Sequence, residues 1–442
     1  MKNSSIKFID LFAGLGGLRL GFEKAFINAG IETECVMTSE IKPHALKTLK
    51  CNFKHNFLAG DIFEIRNEFI PEFDFLLAGF PCQPFSYSGK RHGFLDTRGT
   101  LFFEIERILR EKKPMGFILE NVEGLVKHDL AFKNDKIGRT LKTILHILQD
   151  ELGYKTSWRV FDSLEFGLPQ SRKRIFIVGT KEDYINLNGN TPCFNNLENI
   201  LEKGLPILKT NFINKLLSHF SVEDLYGKSI KDKRGGSNNI HSWDIEIKGS
   251  VSKQQAEILN QIFKQRRKKQ WAEEIGIDWM DGMALTLEQI NTFINLPQIE
   301  LKVLLEDLTE KGYLKFEHPK KLVKIQTLNG VTTIREYDKT KPMGYNIVAG
   351  KLSFEINKIL DPKDIAPTLV ATDISRLAVP DGNGLRRLTI REGLRLFGYP
   401  EWYEIPTKEL EAFDLLGNTV AIPVVEFVAN KLTEVCVNEL VG

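Results

Sequence analysis

A chain of 442 residues is long enough for two or three domains with a well-buried core. Its 42% apolar and 27% charged residues exclude a disordered or fibrous protein, and a net charge of +2 means that a nucleic-acid partner must meet a local basic patch. No apolar run approaches membrane-spanning length, MKNSSIKFID lacks a signal-peptide core, and five scattered cysteines never form CxxC, so the expectation is a cytoplasmic protein with no membrane, metal or disulfide framework.

In chain order, Ile6–Leu11 reads as a first strand, and Phe12-Ala-Gly-Leu-Gly-Gly17 follows at once. Leu18, Phe22, Ala25, Phe26 and Ala29 then recur at helical spacing up to Gly30, a C-cap residue. Strand, glycine-rich turn and helix bring a nucleotide-like ligand against backbone N–H groups, and Gly14, Gly16 and Gly17 lack the side chains that block that approach. A tight structural turn accounts for the glycines alone. Glu34–Ser39 reads as a second strand ending in Glu40, roughly 20 residues on, where an acid can bind ribose hydroxyls. Leu58–Ile62 reads as a third, with Asp61 at the same edge. The motif is not GxGxxG and no second phosphate-binding element follows, so the ligand expected is an adenosine without a pyrophosphate, which S-adenosylmethionine fits.

Phe73–Ala78 is an unbroken apolar run, expected as a buried strand of a parallel sheet, and Gly79 and Pro81 stop it. Cys82 follows between two prolines, at the strand edge where open α/β sheets bind ligands. A buried structural cysteine is the plain alternative. Tyr87–Gly99 is polar, basic and glycine-containing, expected as a loop able to close over a substrate. Leu101–Leu109 reads as a helix, Met115–Leu119 as the next strand with Glu120 at its end, and Gly138–Leu152 as an amphipathic helix. Trp158–Leu164 and Arg174–Val178 close the sheet, with Arg172 and Arg174 expected to alternate onto one face.

Composition changes near Asn186. From there to about Lys341 the strand-helix alternation is lost. Ala256, Leu259, Ile262, Phe263 and Arg266 share one face of a helix capped by Ser252 that runs into Arg266, Arg267, Lys268 and Lys269, a solvated face or a phosphate-binding patch. Thr286 and Gln289 form a capping box, and Pro297 opens a helix with a leucine stripe ending at Gly312. Tyr313–Phe316, Lys321–Leu328 and Val331–Tyr337 read as strands, the last two joined by Asn329-Gly330. Short helices and a β-ribbon suggest a winged helix; a helical insert with a hairpin fits nearly as well. The segments expected are therefore 1–185, 186–384 and 385–442.

These blocks resemble one family in order: the DNA (cytosine-5) methyltransferases of the bacterial restriction-modification type. DLFAGLGG resembles their cofactor loop, GFPCQPFS their nucleophile loop, ENV their glutamate strand and QSRKR their QxRxR block. RRLTIREGLRLFGYP resembles the segment supporting the reader, and GNTVAIP the last cofactor block. The resemblance implies an α/β class I S-adenosylmethionine-dependent methyltransferase (Rossmann-like) sheet with a smaller inserted target-recognition domain. It implies Phe12 against the adenine, Glu40 on the ribose, Ile41 and Ile62 as apolar walls and Asp61 on the adenine amine. The Gly14–Gly17 backbone would meet the methionine end, with Phe80, Leu101, Asn418 and Val420 also on the cofactor. Arg172 would contact the base and Arg174 support the loop. Ile41 departs from the aromatic residue often found after the ribose-binding acid, which implies a lower cofactor affinity.

The chemistry accounts for the residue types by itself. Cytosine C5 takes a methyl group only after a thiolate, here Cys82, has added at C6. Glu120 would stabilise the charge that builds at N3, and Arg172 and Arg174 would hold the carbonyl or a flanking phosphate. C6 is unreachable in a stacked duplex, so the base must flip out, with Ser86, Ser88 and Arg91 filling the space or gripping phosphate. S-adenosylhomocysteine would be the product and double-stranded DNA the partner. A cognate restriction endonuclease and a monomeric state are further expectations. An RNA methyltransferase of the same superfamily, a silent DNA-binding paralogue and a nicotinamide-dependent oxidoreductase are the rival readings.

Overall fold

A computed structural model describes residues 5–80 and 101–440, apart from 133, 233–234, 237, 279–281, 328–329 and 349–353. Two compact units share them: one takes Met1–Glu202, Pro362–Ser375 and Leu388–Gly442, the other Lys203–Asp361 and Arg376–Arg387. Residues 186–202 and 362–375, which composition groups with the insert, thus lie in the first unit.

The first unit is built on a seven-stranded sheet: β1 (Ile6–Leu11), β2 (Thr33–Ser39), β3 (Leu58–Ala59), β4 (Phe75–Gly79), β5 (Gly116–Val122), β6 (Lys155–Asp162) and β7 (Lys173–Thr180), in the order β3-β2-β1-β4-β5-β7-β6. The strands β1 to β5 pair in parallel, and β7 runs antiparallel to both its neighbours. The chain winds outward from β1 in both directions, so the carboxyl ends of β1 and β4 form the switch point where such sheets bind ligands. Leu11 pairs with Ala78 there, which sets Phe12 and Gly79 side by side as the chain leaves the two strands. The helices α1 (Gly17–Asn28), α2 (Pro43–Asn52), α3 (Leu101–Lys112) and α4 (Arg139–His146) connect these strands. Two apolar layers enclose the sheet, one around Ile9, Leu76, Leu119 and Ile105, the other around Phe8, Phe22, Phe75 and Val425. The third strand is shorter than its apolar run, because Asp61 accepts from Phe63 N and turns Ile62–Glu64 into a 3-10 turn. The α4 helix likewise stops at His146 and continues as a π turn over Ile147–Glu151.

The second unit opens with α5 (Asn211–His219), β8 (Ser229–Ile230) and β9 (Asn239–Ile240). The helices α6 (Lys253–Gln265), α7 (Gln270–Glu274), α8 (Leu287–Asn291) and α9 (Gln298–Glu310) follow. Ser252 and Thr286 cap α6 and α8 through complete capping boxes with Gln255 and Gln289. Then come β10 (Leu314–Glu317), β11 (Lys320–Thr327), β12 (Gly330–Tyr337) and β13 (Gly344–Ile347), with β10 against β13 and β11 against β12. Leu285 bridges to Tyr345, and Ile258, Ile262, Ile290, Leu301, Leu305 and Tyr345 pack in one core. Helices followed by the β10–β13 pair, with the Leu285 bridge to Tyr345 and the β11–β12 hairpin between β10 and β13, have the element order of a winged helix. The strands β14 (Lys358–Ile359), β15 (Leu377–Asp381) and β16 (Gly384–Arg387) join β8 and β9 in a separate five-stranded sheet.

The chain then returns to the first unit with α10 (Ile390–Arg395), α11 (Glu409–Gly417) and α12 (Ile422–Leu440). The return lies against α1: a Cβ on Gly21 would stand 2.5 Å from Val425 Cβ, and one on Gly17 2.8 Å from both Tyr399 Oη and Val420 Cγ2. Among the described residues no single helix is long and apolar enough to cross a membrane.

Candidate active site

The turn after β1 carries the features of a ligand cradle. Phe12 takes a left-handed φ of 57°, rare outside glycine, and its ring is half-buried beside the core. Gly14 also has a positive φ, and a Cβ there would meet nothing within 4 Å, so the space above it is open. Glu40 is buried at the end of β2 and fixes this turn: Oε2 accepts from Gly14 N at 2.8 Å, and Oε1 from Ile41 N and Lys42 N, each at 2.8 Å. Ser39 Oγ donates to Gly60 O at 2.8 Å, joining the ends of β2 and β3, so Glu40 and Asp61 leave the same edge. Ile41 is 66% exposed, whereas Ile62 is fully buried and supports the edge from beneath. An adenosine fits this set: an aromatic ring and an exposed aliphatic side chain, two carboxylates on one edge, and an open glycine backbone.

Of the other residues expected here, Val420 is buried against Gly17, and Phe80 is buried with its ring 5.9 Å from that of Phe102. Leu101 is half-buried at the first turn of α3. Asn418 is exposed, and its amide donates to Asp414 O and Oδ1. Asp414 in turn pairs with Lys42 Nζ at 2.7 Å and meets His44 Nε2 at 3.1 Å, closing α11 onto the start of α2.

The second group lies at the ends of β4 and β5. Register sets Glu120 opposite Gly79, and a Cβ on Gly79 would be 3.4 Å from Glu120 Oε2, so the carboxyl lies over the last residues before the cysteine loop. Glu120 Oε1 pairs with Arg174 Nε at 3.0 Å. Burial pushes the Glu120 carboxyl above its ordinary range, against the opposing pull of Arg174 and then Arg172. Cys82, with Ser86, Ser88 and Arg91, lies outside the described residues.

Arg172 and Arg174 do not share one task. Arg172 is 2% exposed; Nη1 donates to Leu369 O at 2.9 Å, Nη2 to Gly417 O at 3.0 Å, and the guanidinium stacks 5.2 Å from the Phe397 ring. Arg174 thus reaches the Glu120 carboxylate, while Arg172 is tied to the backbone of the returning segments. Asp162 holds Arg172 from behind, accepting its backbone N–H at 2.9 Å. Gln170, fully buried, donates to Leu396 O and accepts from Leu369 N, tying the same returning segments down.

Sequence reasoning missed Asn121 and Asp10. Asn121 is buried; Nδ2 donates to Phe80 O at 2.9 Å and Oδ1 accepts from Val122 N at 2.8 Å, so it holds the backbone two residues before Cys82. Its place inside ENV was the available signal. Asp10 is fully buried at the end of β1 with neither carboxyl oxygen hydrogen-bonded among the described residues, and burial pushes it up to about 8. A charged residue inside an apolar strand run was the signal there.

The basic run after α6 divides as well. Arg266 is buried, with Nη1 donating to Asn346 Oδ1 at 2.8 Å, which corrects its place in an exposed patch of four. Arg267, Lys268 and Lys269 are exposed, Arg267 lying 4.9 Å from the Phe263 ring. Among the described residues no three His, Cys, Asp or Glu side chains group as a metal site.

Comparison with known proteins gives a consistent set of relatives. A family model described as C-5 cytosine-specific DNA methylase matches residues 6–434. The sequence is 55% identical over 427 residues to the type II methyltransferase M.NlaIV of Neisseria lactamica, covering 97% of this chain and 98% of the other. It is 55% identical over 427 residues to M.NgoBV of Neisseria gonorrhoeae, with the same coverage. M.BanI of Aneurinibacillus aneurinilyticus is 42% identical over 462 residues, covering 99% of this chain and 98% of that one. The fold is similar to that of the Entamoeba histolytica methyltransferase EhMeth, with a TM-score of 0.50, 15% identity and 99% of each chain covered.

Proposed function

The chain belongs to the C-5 cytosine-specific DNA methylases, and from that premise we propose which of its residues carry out the reaction. The activity is methyl transfer to C5 of cytosine in DNA, in the manner of type II restriction-modification methylases, through the covalent cysteine adduct general to the family. The family implies S-adenosylmethionine, which when bound supplies an electrophilic methyl group on a sulfonium. Phe12, Glu40, Ile41 and Asp61 bind its adenosine, and the open backbone at Gly14 faces its methionine end.

Cys82 Sγ, as thiolate, adds to C6 of a flipped cytosine, and the C5–C6 π electrons move to C5 with charge shared at N3 and O2. Glu120, kept toward its protonated form by burial, donates to N3, and Arg174 holds that carboxyl and faces the base carbonyl. C5 forms the new C–C bond as the methyl–sulfur bond breaks. A base then removes the C5 proton, the electron pair re-forms C5=C6, and the Cys82–C6 bond breaks. Arg172 positions the cradle from behind by gripping the Leu369 and Gly417 carbonyls.

The observation that carries this reading is the Glu120–Arg174 pair placed over Gly79, where the Cys82 loop departs. Residues 203–361 with 376–387 serve as the target reader, the enzyme acts as a cytoplasmic monomer, and an endonuclease acting on the same site accompanies it. Bisulfite sequencing of DNA from cells expressing the intact chain or Cys82→Ser tests the assignment. Protected cytosines in one short word, absent in the variant, are expected. Protection by the variant would overturn the role of Cys82, and protection by neither would direct the test to tRNA.

A further inference from the structure

The reader's winged helix carries its charge in an unusual place. In helix-turn-helix folds the recognition helix enters the major groove. By position that helix is α9 here, yet its exposed residues include Glu300, Glu306 and Glu310, with Ile299 83% exposed and Val303 59% exposed. The single lysine among them, Lys302, lies 3.8 Å from Glu306. Such a face repels phosphates. The ribbon of β11 and β12 has the opposite character. Its register pairs Lys320 with Tyr337, Leu322 with Arg335 and Lys324 with Thr333, and alternation puts Gln326 on the same face. That face carries Lys320, Lys324 and Arg335 and no carboxylate, and of its described side chains all but the half-buried Lys320 are exposed. The other face holds the Lys321–Glu336 and Val323–Ile334 pairs, with Lys321 drawn toward Asp338 at 3.9 Å. Lys320 Nζ lies 5.0 Å from the Tyr337 ring, which directs it along the ribbon.

We propose that this ribbon, and not α9, enters the major groove of the target duplex, with Lys320, Lys324 and Arg335 on phosphates or guanine edges and Gln326 and Thr333 on base edges. The inference rests on the assignment of the second unit as the reader and names the element that reads. Two strands about 4.8 Å apart fit a groove about 12 Å wide. The positive face complements the duplex, and Lys, Arg and Gln are the side chains that make bidentate or strong contacts to guanine and adenine there.

The test uses the full chain and duplex DNA carrying the word that bisulfite sequencing reveals. Lys320→Ala/Lys324→Ala/Arg335→Ala should raise KM for DNA at least tenfold. It should also flatten the dependence of log affinity on log salt by about 0.9 for each phosphate contact removed. Lys320→Arg/Lys324→Arg should keep the native affinity, which separates charge from folding. Gln326→Ala/Thr333→Val should make at least one position of the word degenerate. Lys302→Ala/Glu306→Ala on α9 should change neither affinity nor word. The proposal is overturned if the triple variant keeps the native KM and salt slope, or if the α9 variant is the one that loses them. A native chain that transfers methyl groups to no DNA would instead bring down the functional assignment, and this proposal with it.

Discussion

Asn121→Ala is the sharpest probe of how the reactive edge is held. The wild-type amide makes two short hydrogen bonds, to Phe80 O and from Val122 N. Val122 is 38% exposed, so its N–H can pair with water after the change. The bond to the Phe80 carbonyl lies in a buried setting and leaves an unpaired acceptor, a loss of about 1–3 kcal/mol. For a unit of this size that lowers Tm by roughly 2–5 °C. Phe80 lies two residues before Cys82 in sequence, so part of the same energy should appear in the chemical step. One to two kcal/mol there is about a 5- to 30-fold fall in kcat. The cradle residues Phe12, Glu40 and Asp61 follow β1, β2 and β3, so S-adenosylhomocysteine binding, measured by calorimetry, should be unchanged. Asn121→Asp is the harsher isostere: it keeps the acceptor for Val122 N and sets a carboxylate oxygen against the Phe80 carbonyl. Single-turnover transfer of a tritiated methyl group to DNA reads the step directly. If Asn121→Ala loses stability but transfers within twofold of the native rate, Asn121 supports the strand only and does not position the loop.

Two further comparisons separate neighbouring basic residues that composition treats alike, and a third tests a buried acid. Arg172→Lys can reach only one of two buried carbonyls and should lower stability by about 2–4 kcal/mol, whereas Arg174→Lys should leave Tm nearly native and lower kcat; equal melting curves would refute the division. Asp10, pushed up to about 8 from an unfolded value near 3.8, carries no penalty when both states are protonated. As pH rises through that interval the unfolded chain ionises first and stability is lost, levelling off above about 8, so Asp10→Asn should flatten the urea-derived stability curve between pH 4 and 8 by up to about 5 kcal/mol. A variant curve parallel to the native one would exclude this. Arg266→Ala should lower Tm by removing a buried partner of Asn346, while Arg267→Ala/Lys268→Ala/Lys269→Ala should keep Tm and only flatten the salt dependence of DNA binding. Reversal of those two results would restore the exposed run of four.

Most of the sheet was legible because each central strand is buried on both faces and therefore appears as an apolar run that stops at a chemically distinct residue. Leu11 gives way to the glycine turn, Ser39 to Glu40, and Leu119 to Glu120 within one strand. The winged helix was legible from local signals as well, since Ser252, Thr286 and Pro297 mark helix starts by what their side chains or ring can do. The third strand was overextended because Asp61 reads as a strand-end acid but acts first as the cap of the next turn. The place of residues 362–375 in the first unit was hidden, since it depends on Gln170 accepting from Leu369 N and Arg172 donating to Leu369 O, nearly 200 positions away in sequence.

The two misread arginines show what local rules leave out. Alternation onto one face applies to residues inside a strand, and β7 begins at Lys173, so it constrains Arg174 and not Arg172. Arg172 precedes the strand, where Asp162 accepts its backbone N–H and turns its side chain toward the returning C-terminal segments. Arg266 was misread for the converse reason. Its spacing from Leu259, Ile262 and Phe263 already placed it on the buried face of α6, and only its company of Arg267, Lys268 and Lys269 suggested exposure. Periodicity reports which way a side chain points, while a charge run reports only composition. A buried guanidinium is stable there because Asn346 accepts from it and Phe263 lies 5.2 Å beneath it. The same logic separates the arginines around the start of β7: one guanidinium is held by two buried carbonyls, and the other is paired to a carboxyl at the strand edge.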